Sequence, residues 1–310
     1  MSELINGIIN EKFDGKRCDV FLSETADITR TKAQEIIENG QFKINGKTVK
    51  KNYKCNYGEA YEYSYEIQDE YNIVPQDIPI EIVYEDDYLA VVNKPKGMVV
   101  HPAPGNVDNT MVNALLYKFD KLSPSSDNIR PGIVHRIDKN TSGLLIVAKD
   151  EKTHLSLAKQ IELHNFDREY RGIIIGTPKA FHSTIDAPIG RSQRDRKKMA
   201  VTDINSKNAV THYKLIKSYG TYSFMSFKLE TGRTHQIRVH LAYMGHPILG
   251  DDVYGGERKE FSELSGQCLH AFSIGFIHPI TNEKMYFESE LPKYFTDTLN
   301  KLENKYGGNI

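Results

Sequence analysis

A polar loop that runs straight into a short, wholly apolar stretch fixes the centre of this chain. Leu144-Leu145-Ile146-Val147-Ala148 is continuous and apolar, long enough for a strand buried in a sheet. The residues before it, from Arg130 onward, are polar and interrupted by Pro131 and Gly143, so they enter that strand as a loop. His135, Arg136 and Asp138 crowd together there. Rigid scaffolds present reactive side chains on loops of this kind. Aspartates in loops more often shape turns, however. Asp138 paired with Arg136 or Lys139 in a solvated turn is what these residues favour on their own.

At 310 residues the chain is long enough for one large or two unequal domains with a full core. Its 39% hydrophobic and 26% charged content is that of an ordinary soluble protein. A formal net charge of -1 argues weakly against a nucleic-acid partner, since phosphate favours a basic surface. The charge is segregated, though. Ile28 to Lys54 carries seven Lys/Arg against two Asp/Glu, and Cys55 to Ala90 carries ten Asp/Glu and no Lys/Arg. A basic face is therefore compatible with the neutral total. Cys18, Cys55 and Cys268 show neither zinc spacing nor a disulfide framework, which points to a reducing cytosol. Glu3, Asn6, Asn10, Glu11 and Lys12 argue against a signal peptide. No segment has the length of a membrane span, and no internal repeat stands out.

In chain order, residues 1–12 read as an arm or edge strand and residues 13–63 as a compact unit. There Thr29 is placed to cap a helix that runs through Glu38 and stops at Gly40, with Ala33, Ile36 and Ile37 as its apolar stripe. Phe42-Lys43-Ile44 alternates as a strand into Asn45-Gly46, a hairpin turn. Lys47, Lys50, Lys51 and Lys54 follow, with Tyr53 and Tyr57 among them. Basic residues interleaved with aromatics suit RNA, charge meeting phosphate and rings stacking on bases. A solvated lysine-rich hairpin fits the same pattern equally well. Residues 64–79 are acidic, carry Pro75 and Pro79, and read as a linker that RNA phosphates would repel.

Residues 80–310 are expected to form the larger domain. Ile80 to Tyr84 and Tyr88 to Val92 read as strands about an Asp86-Asp87 turn, and Asn93 to Met98 leaves them as a polar loop. After the central strand, Asp150 caps a helix to about His164, with Leu155, Ala158 and Ile161 facing the core. Arg168 to Ile175 is a β-branched strand on which Tyr170, Gly172 and Ile174 share one face. A tyrosine in that position is as a rule a core residue. Arg191 to Lys198 is a basic loop or hairpin tip, and Ser206 to Tyr213 and Ser223 to Leu229 alternate as strands. Thr234 is placed to cap a helix that Gly245 stops, with Ile237, Leu241 and Met244 on its core face and His235 and Arg238 on an adjoining one. Residues beyond Pro292 read as a polar helix and a disordered Gly-Gly end. His235 and His240 lie five apart with no Glu between them, which does not suit zinc, and no metal site is expected.

His135-Arg136-Ile137-Asp138-Lys139-Asn140-Thr141-Ser142-Gly143-Leu144-Leu145 closely resembles the signature of the RluA-type RNA pseudouridine synthases. The wider chain, in pieces from about Gly15 to about Pro292, looks most like their RluD branch, which acts on large-subunit ribosomal RNA. Arg168-Glu169-Tyr170 matches the family's basic-x-Tyr pattern. Asn93 to Pro102 resembles its first motif and Glu230 to His240 its late motif. Gly245 to Asp251 with Tyr254-Gly255, and Leu269-His270-Ala271, resemble its C-terminal signature and are expected to pack and shape loops. Gly15 to Asp19, Thr29-Arg30, Gly40 and Ile44-Asn45-Gly46 resemble the small RNA-binding domain named after a small-subunit ribosomal protein, S-four, with Cys18 where Leu is usual.

The resemblance implies an α+β fold: a mixed, mostly antiparallel sheet with flanking helices and a central cleft, preceded by a small α/β RNA-binding domain. It makes Asp138 the catalytic carboxylate, Arg238 its salt-bridge partner and Tyr170 the ring against the uracil. Arg136 would fill the space left by the flipped base. His135, Lys94, Arg168, Arg233, His235 and Gln236 are expected against the substrate, with Lys96 near the RNA. Arg17, Arg30, Lys32, Lys43, Lys47, Lys50 and Lys51 are expected against the RNA at large. Isomerisation of uridine needs no cofactor, and the chain has no Walker loop or Gly-rich dinucleotide fingerprint. The expected partner is a structured ribosomal RNA stem-loop, free or in a pre-ribosomal particle, bound by a cytoplasmic monomer. A non-catalytic ribosome-assembly factor would share the N-terminal domain but would not need Asp138, Tyr170 and Arg238 together. A small-molecule hydrolase built on Asp138 and His135 would lack a second placed carboxylate.

Overall fold

The computed structural model describes residues 3–26, 28, 30–65, 73–103, 105–124, 130–195 and 198–307, in two compact units divided after Asn72. The expected Thr29 cap, residues 66–72 of the acidic stretch and the end of the chain after Gly307 lie outside the described residues.

The first unit contains β1 (Glu3–Ile8), α1 (Cys18–Thr25), α2 (Arg30–Glu38), β2 (Phe42–Ile44), β3 (Lys47–Thr48) and β4 (Ala60–Tyr65). Its strands lie in the order β1-β4-β2-β3, so the N-terminal segment is an edge strand. Phe21 and Leu22 of α1, Ala33, Ile36 and Ile37 of α2, and Phe42, Ile44 and Tyr63 of the sheet share one core. Cys18 fills an apolar slot in it with no exposure. Asn45 and Gly46 both take positive φ, 50° and 73°, the turn whose twist matches that of a hairpin.

The second unit begins with β5 (Glu81–Glu85), β6 (Leu89–Lys94), α3 (Met111–Lys118), β7 (Ser142–Ala148) and α4 (Glu151–Glu162). Then come β8 (Asp167–Ile175), β9 (His182–Asp186), β10 (Ile189–Arg191), β11 (Met199–Val201), β12 (Val210–Ser218) and β13 (Tyr222–Leu229). It closes with α5 (Gln236–Tyr243), β14 (Leu269–Ile277), β15 (Lys284–Glu288) and α6 (Lys293–Tyr306). Among the described residues nine of these strands form one sheet, β5-β6-β7-β14-β8-β13-β12-β9, with β15 added alongside β14. Its pairings are antiparallel except at β7 and β14. Those two touch in parallel over only His270–Ser142 and Ala271–Gly143, after which β15 takes the place beside β14. Two half-sheets therefore meet at a two-residue bridge. A Cβ on Gly143 (φ 116°) would lie 2.2 Å from the Ala271 carbonyl oxygen, so only glycine lets them close.

Every residue of β7 is buried, because both sheet faces are covered. Leu145 and Val147 pack with Ala90, Val92, Met111 of α3 and Ile237 of α5. Leu144 and Ile146 point the other way, onto Leu157 of α4 and Phe276. This is the two-residue alternation of a strand.

Several expectations are corrected. α4 is capped by Asp150, whose Oδ1 accepts the Thr153 amide at 2.9 Å, and Ile161 packs on the core as expected, but the helix's fully buried residues are Thr153 and Leu157, and Leu155 is 63% exposed. Residues 153 and 157 are one turn apart, whereas 155 points across the helix axis. α5 starts one residue later than expected, with His235 at φ 56° as its N-cap and no side-chain cap from Thr234. α6 is amphipathic rather than polar, burying Phe295, Thr298 and Leu302. α3 and the strands β9 to β11 were not anticipated. The basic segment after Arg191 joins β10 to β11, which pair as a hairpin.

Candidate active site

Asp138 stands where its loop turns into β7, at the bridge between the half-sheets. Buried Ile137 anchors the turn from one side. On the other, the Asp138 carbonyl accepts the Thr141 amide at 3.0 Å. His135 ties the loop to the strand itself, its Nε2 accepting the Ile146 amide at 3.1 Å. The Asp138 carboxylate is 21% exposed and opens on a cavity of about 410 Å³. Arg136, Arg168, Tyr170, Arg233 and His235 line the same space. Tyr170 comes from β8, where it pairs with Phe227 and Ala271 and is 7% exposed. Burial raises its phenol above the ordinary value.

Helix α5 delivers Arg238 to the floor of this cavity. Its Nη1 donates to Asp138 Oδ2 at 2.9 Å, while Nε and Nη2 hold Asp251 Oδ2 and Oδ1 at 2.7 and 3.0 Å. Asp251 has no exposure and also accepts the amides of Val253 and Tyr254, both at 3.0 Å. The Tyr254 ring lies 5.2 Å from the guanidinium, and its hydroxyl is 2.9 Å from His235 Nδ1. His235 Nε2 in turn stands 3.8 Å from Asp138 Oδ1. Burial works against the charge of Arg238, but hydrogen bonds and attraction from Asp251 and Asp138 outweigh it and hold the pKa above the ordinary value. Burial lowers His235, against the pull of Asp138. A planar fork fixed on one carboxylate can aim its remaining N–H at another. The result is an oriented carboxylate, with an aromatic ring and several cations around a space large enough for a nucleotide.

The family model described as RNA pseudouridylate synthase matches residues 88–243, and that of the S4 domain matches residues 16–59. An uncharacterized RNA pseudouridine synthase of Bacillus subtilis is 42% identical over 294 residues, 94% of this chain and 96% of that protein. The chain belongs to the RNA pseudouridine synthase family. A ribosomal large subunit pseudouridine synthase D of Zymomonas mobilis is 52% identical over 227 residues, 71% of each chain. Among solved structures, human RNA pseudouridylate synthase domain containing 4 shares the fold, with a TM-score of 0.56 at 24% identity over 72% of this chain and 93% of that one.

Set against this synthase fold, the expected site residues divide. Asp138, Tyr170, Arg238, Arg136, Arg168, Arg233 and His235 meet at the cavity. Arg136 Nη1 also reaches His101 Nε2 at 3.1 Å, and Arg233 Nε donates to the Asn208 carbonyl at 2.8 Å. The Arg168 guanidinium lies 2.8 Å from where a Cβ on Gly232 would sit, and its buried Nε meets no hydrogen-bond partner among the described residues. Lys94 is a correction: it has no exposure, and its ammonium donates to the carbonyls of Pro95, Met98 and Lys139 at 2.8, 2.8 and 3.1 Å. Burial lowers it to about 7, with Asp138 pulling the other way. A buried ammonium needs its three protons satisfied, and here they fasten the first-motif loop to the Asp138 loop rather than meet RNA. Lys96 is likewise turned inward, onto the carbonyls of Gly266 and Gln267 and the Tyr294 ring.

Gln236 borders the cavity, but its amide is fully used. Oε1 accepts Thr231 Oγ1 and the Arg233 amide, and Nε2 donates to the Val210 carbonyl and Thr211 Oγ1. It braces the start of α5 rather than offering a hydrogen bond to substrate. His135 spends its Nε2 on β7, and burial lowers its pKa to about 3, so it is a neutral strut. His240 faces away, with both ring nitrogens hydrogen-bonded to Thr211 and Ala187.

In the S4-like unit Arg17 and Arg30 converge on Asp19, which has no exposure, at 2.9 to 3.1 Å. They neutralise a buried charge, while their side chains stay 41% and 53% exposed. Lys32, Lys43 and Lys51 pair with Glu35, Glu62 and Glu38 near the surface. Lys47 and Lys50 are exposed. Asp251 and Tyr254 are the site residues that the sequence did not single out. Their one signal was an aspartate inside a Gly-rich C-terminal motif.

Proposed function

We propose that this synthase isomerises uridines of large-subunit ribosomal RNA, with Asp138 as the reacting carboxylate. The observation that carries the reading is the 2.9 Å pair of Asp138 with Arg238 at the edge of a cavity that Tyr170 also lines. Support for the substrate comes from relatives named ribosomal large subunit pseudouridine synthase D, such as those of Zymomonas mobilis and Vibrio cholerae.

In this reading a uridine leaves its helix to reach the cavity, since its sugar carbon is inaccessible within a stem. Arg136 enters the gap. The ionised Asp138 either attacks C1′ or removes the C2′ proton, and the N1–C1′ bond breaks. The freed uracil turns against Tyr170 and bonds C1′ through C5, which in the first route displaces the Asp138 carboxylate from C1′ and in the second goes with return of the proton to C2′. The proton on C5 is lost and one is gained at N1, so atoms balance without oxidation. Arg238 keeps Asp138 aimed. The lysines at 47, 50 and 51 meet phosphates of the same RNA, and a groove of about 680 Å³ beside Lys50 and Lys51 suits a backbone.

The test is pseudouridine formation on ribosomal RNA stem-loops, followed by tritium release. Asp138→Asn retains shape without charge and is expected to slow turnover on the order of 10³-fold or more while RNA still binds. Substantial turnover in that variant removes Asp138 from the mechanism. Tyr170→Phe that binds but does not react assigns the hydroxyl a role. A protein that binds these stem-loops yet forms no pseudouridine would be a binding factor instead.

A further inference from the structure

Arg136 does not lie loose at the cavity. Its Nη1 meets Nε2 of His101 at 3.1 Å, and the other ring nitrogen of His101 lies 3.0 Å from the Pro102 carbonyl. These two contacts agree on one form of the imidazole. A nitrogen that faces a carbonyl must carry the proton, and one that receives an arginine N–H must not. His101 is therefore neutral, with its proton on Nδ1. It is also rigidly held. The ring is 8% exposed, and the preceding Val99 and Val100 carbonyls accept the Met111 and Val112 amides at the start of α3, at 2.8 and 3.0 Å. Arg136 itself is exposed, on a loop fastened by His135 and Thr141. A long cationic side chain on a fixed loop would otherwise sample many rotamers, and each one frozen costs entropy at the moment of use.

We propose that His101 is a positioning residue for Arg136, a neutral dock that keeps the guanidinium extended at the cavity until the target base leaves its stack. The idea rests on the reading above in which Arg136 fills the gap. The dock matters only when there is a gap to fill, so His101 acts on paired targets and not on unpaired ones.

The experiment compares single-turnover rates on a stem-loop with the target uridine paired and on the same strand with it unpaired. His101→Met removes the acceptor at similar volume, and His101→Gln returns one near the Nε2 position. His101→Met is expected to slow the paired substrate about tenfold, the worth of one hydrogen bond to a charged group, and the unpaired one less than about twofold. His101→Gln should recover most of the loss. Combined with Arg136→Ala, His101→Met should add nothing further. Equal losses on both substrates, a full additional loss in the Arg136→Ala background, or a glutamine no better than methionine would each overturn the proposal. Wild-type protein that forms no pseudouridine on either substrate would instead sink the functional reading beneath it.

Discussion

Arg238 sends three N–H groups into two carboxylates, and they are not equivalent. Two go to Asp251, which is wholly buried and further held by two backbone amides, and one goes to the partly exposed Asp138. Asp251 is thus the anchor and Asp138 the group being aimed. Removing the anchor leaves a buried cation half-paired, so Asp251→Ala should lower unfolding stability by about 3–5 kcal/mol in urea titrations. Asp251→Asn preserves volume but not the two-oxygen grip. A guanidinium displaced by even 1 Å would slow the chemical step about 10²-fold, with RNA affinity little changed. Unaltered single-turnover rates in Asp251→Asn would show that Arg238 does not need its second carboxylate. Asp138 and Arg238 were readable from the sequence because each sits in its own local motif. Asp251 was not, because its role exists only once α5 packs beside the following loop.

Among the elements, β7 carries the greatest burden, since the Asp138 loop is its extension. Two neutral histidines fasten it. His135 accepts the Ile146 amide, and His270 lies 2.8 Å from Ser142 Oγ and 2.8 Å from Ser289 Oγ. Burial lowers His135 to about 3 and His270 to about 4, from 6.5. Below about 6.5 the unfolded chain therefore binds protons that the folded chain refuses. The stability these groups hold above pH 6.5 is lost as pH falls through the window down to about 4 for His270 and about 3 for His135. Thermal melts across that range should show a steep acid decline, made shallower by His270→Gln. The bridge itself admits no side chain at residue 143. Gly143→Ala should cost about 3 kcal/mol or more, through the clash with the Ala271 carbonyl and the strained φ. On α4, Leu157→Ala should cost about 2–5 kcal/mol, while Leu155→Lys stays within about 0.5 kcal/mol. A reversed order would mean that the helix faces the core as the sequence spacing suggested.

For the whole molecule, a net charge of -1 conceals a division of labour between cations that serve the protein and cations that face outward. Lys94 and Lys96 belong to the first kind, each spent on carbonyls, while Arg17 and Arg30 hold a buried carboxylate from exposed positions. Lys47 and Lys50 belong to the second. Replacing Lys47, Lys50 and Lys51 together with alanine should weaken binding to a long ribosomal RNA fragment and reduce the slope of log affinity against log salt by about 2 to 3 units. Arg17→Ala with Arg30→Ala should act mainly on the folding of the first unit, because buried Asp19 would lose both cations and keep the Gln34 amide. Equal salt slopes for wild type and the lysine triple variant would remove those lysines from the RNA surface.

Local order was legible from the sequence wherever a short pattern sufficed. The apolar run after residue 143 became β7, Asn45-Gly46 became a hairpin, and the motif residues Asp138 and Arg238 lie one hundred positions apart yet form a pair. The tertiary structure alone decided what each polar side chain faces. It turned Lys94 and Gln236 inward, rotated α4 so that Leu155 meets solvent, and joined the half-sheets through Gly143 and Ala271. Sequence patterning records how apolar a position is. A buried polar group is instead satisfied by partners that the chain brings together from far along its length, and only the folded arrangement shows which ones they are.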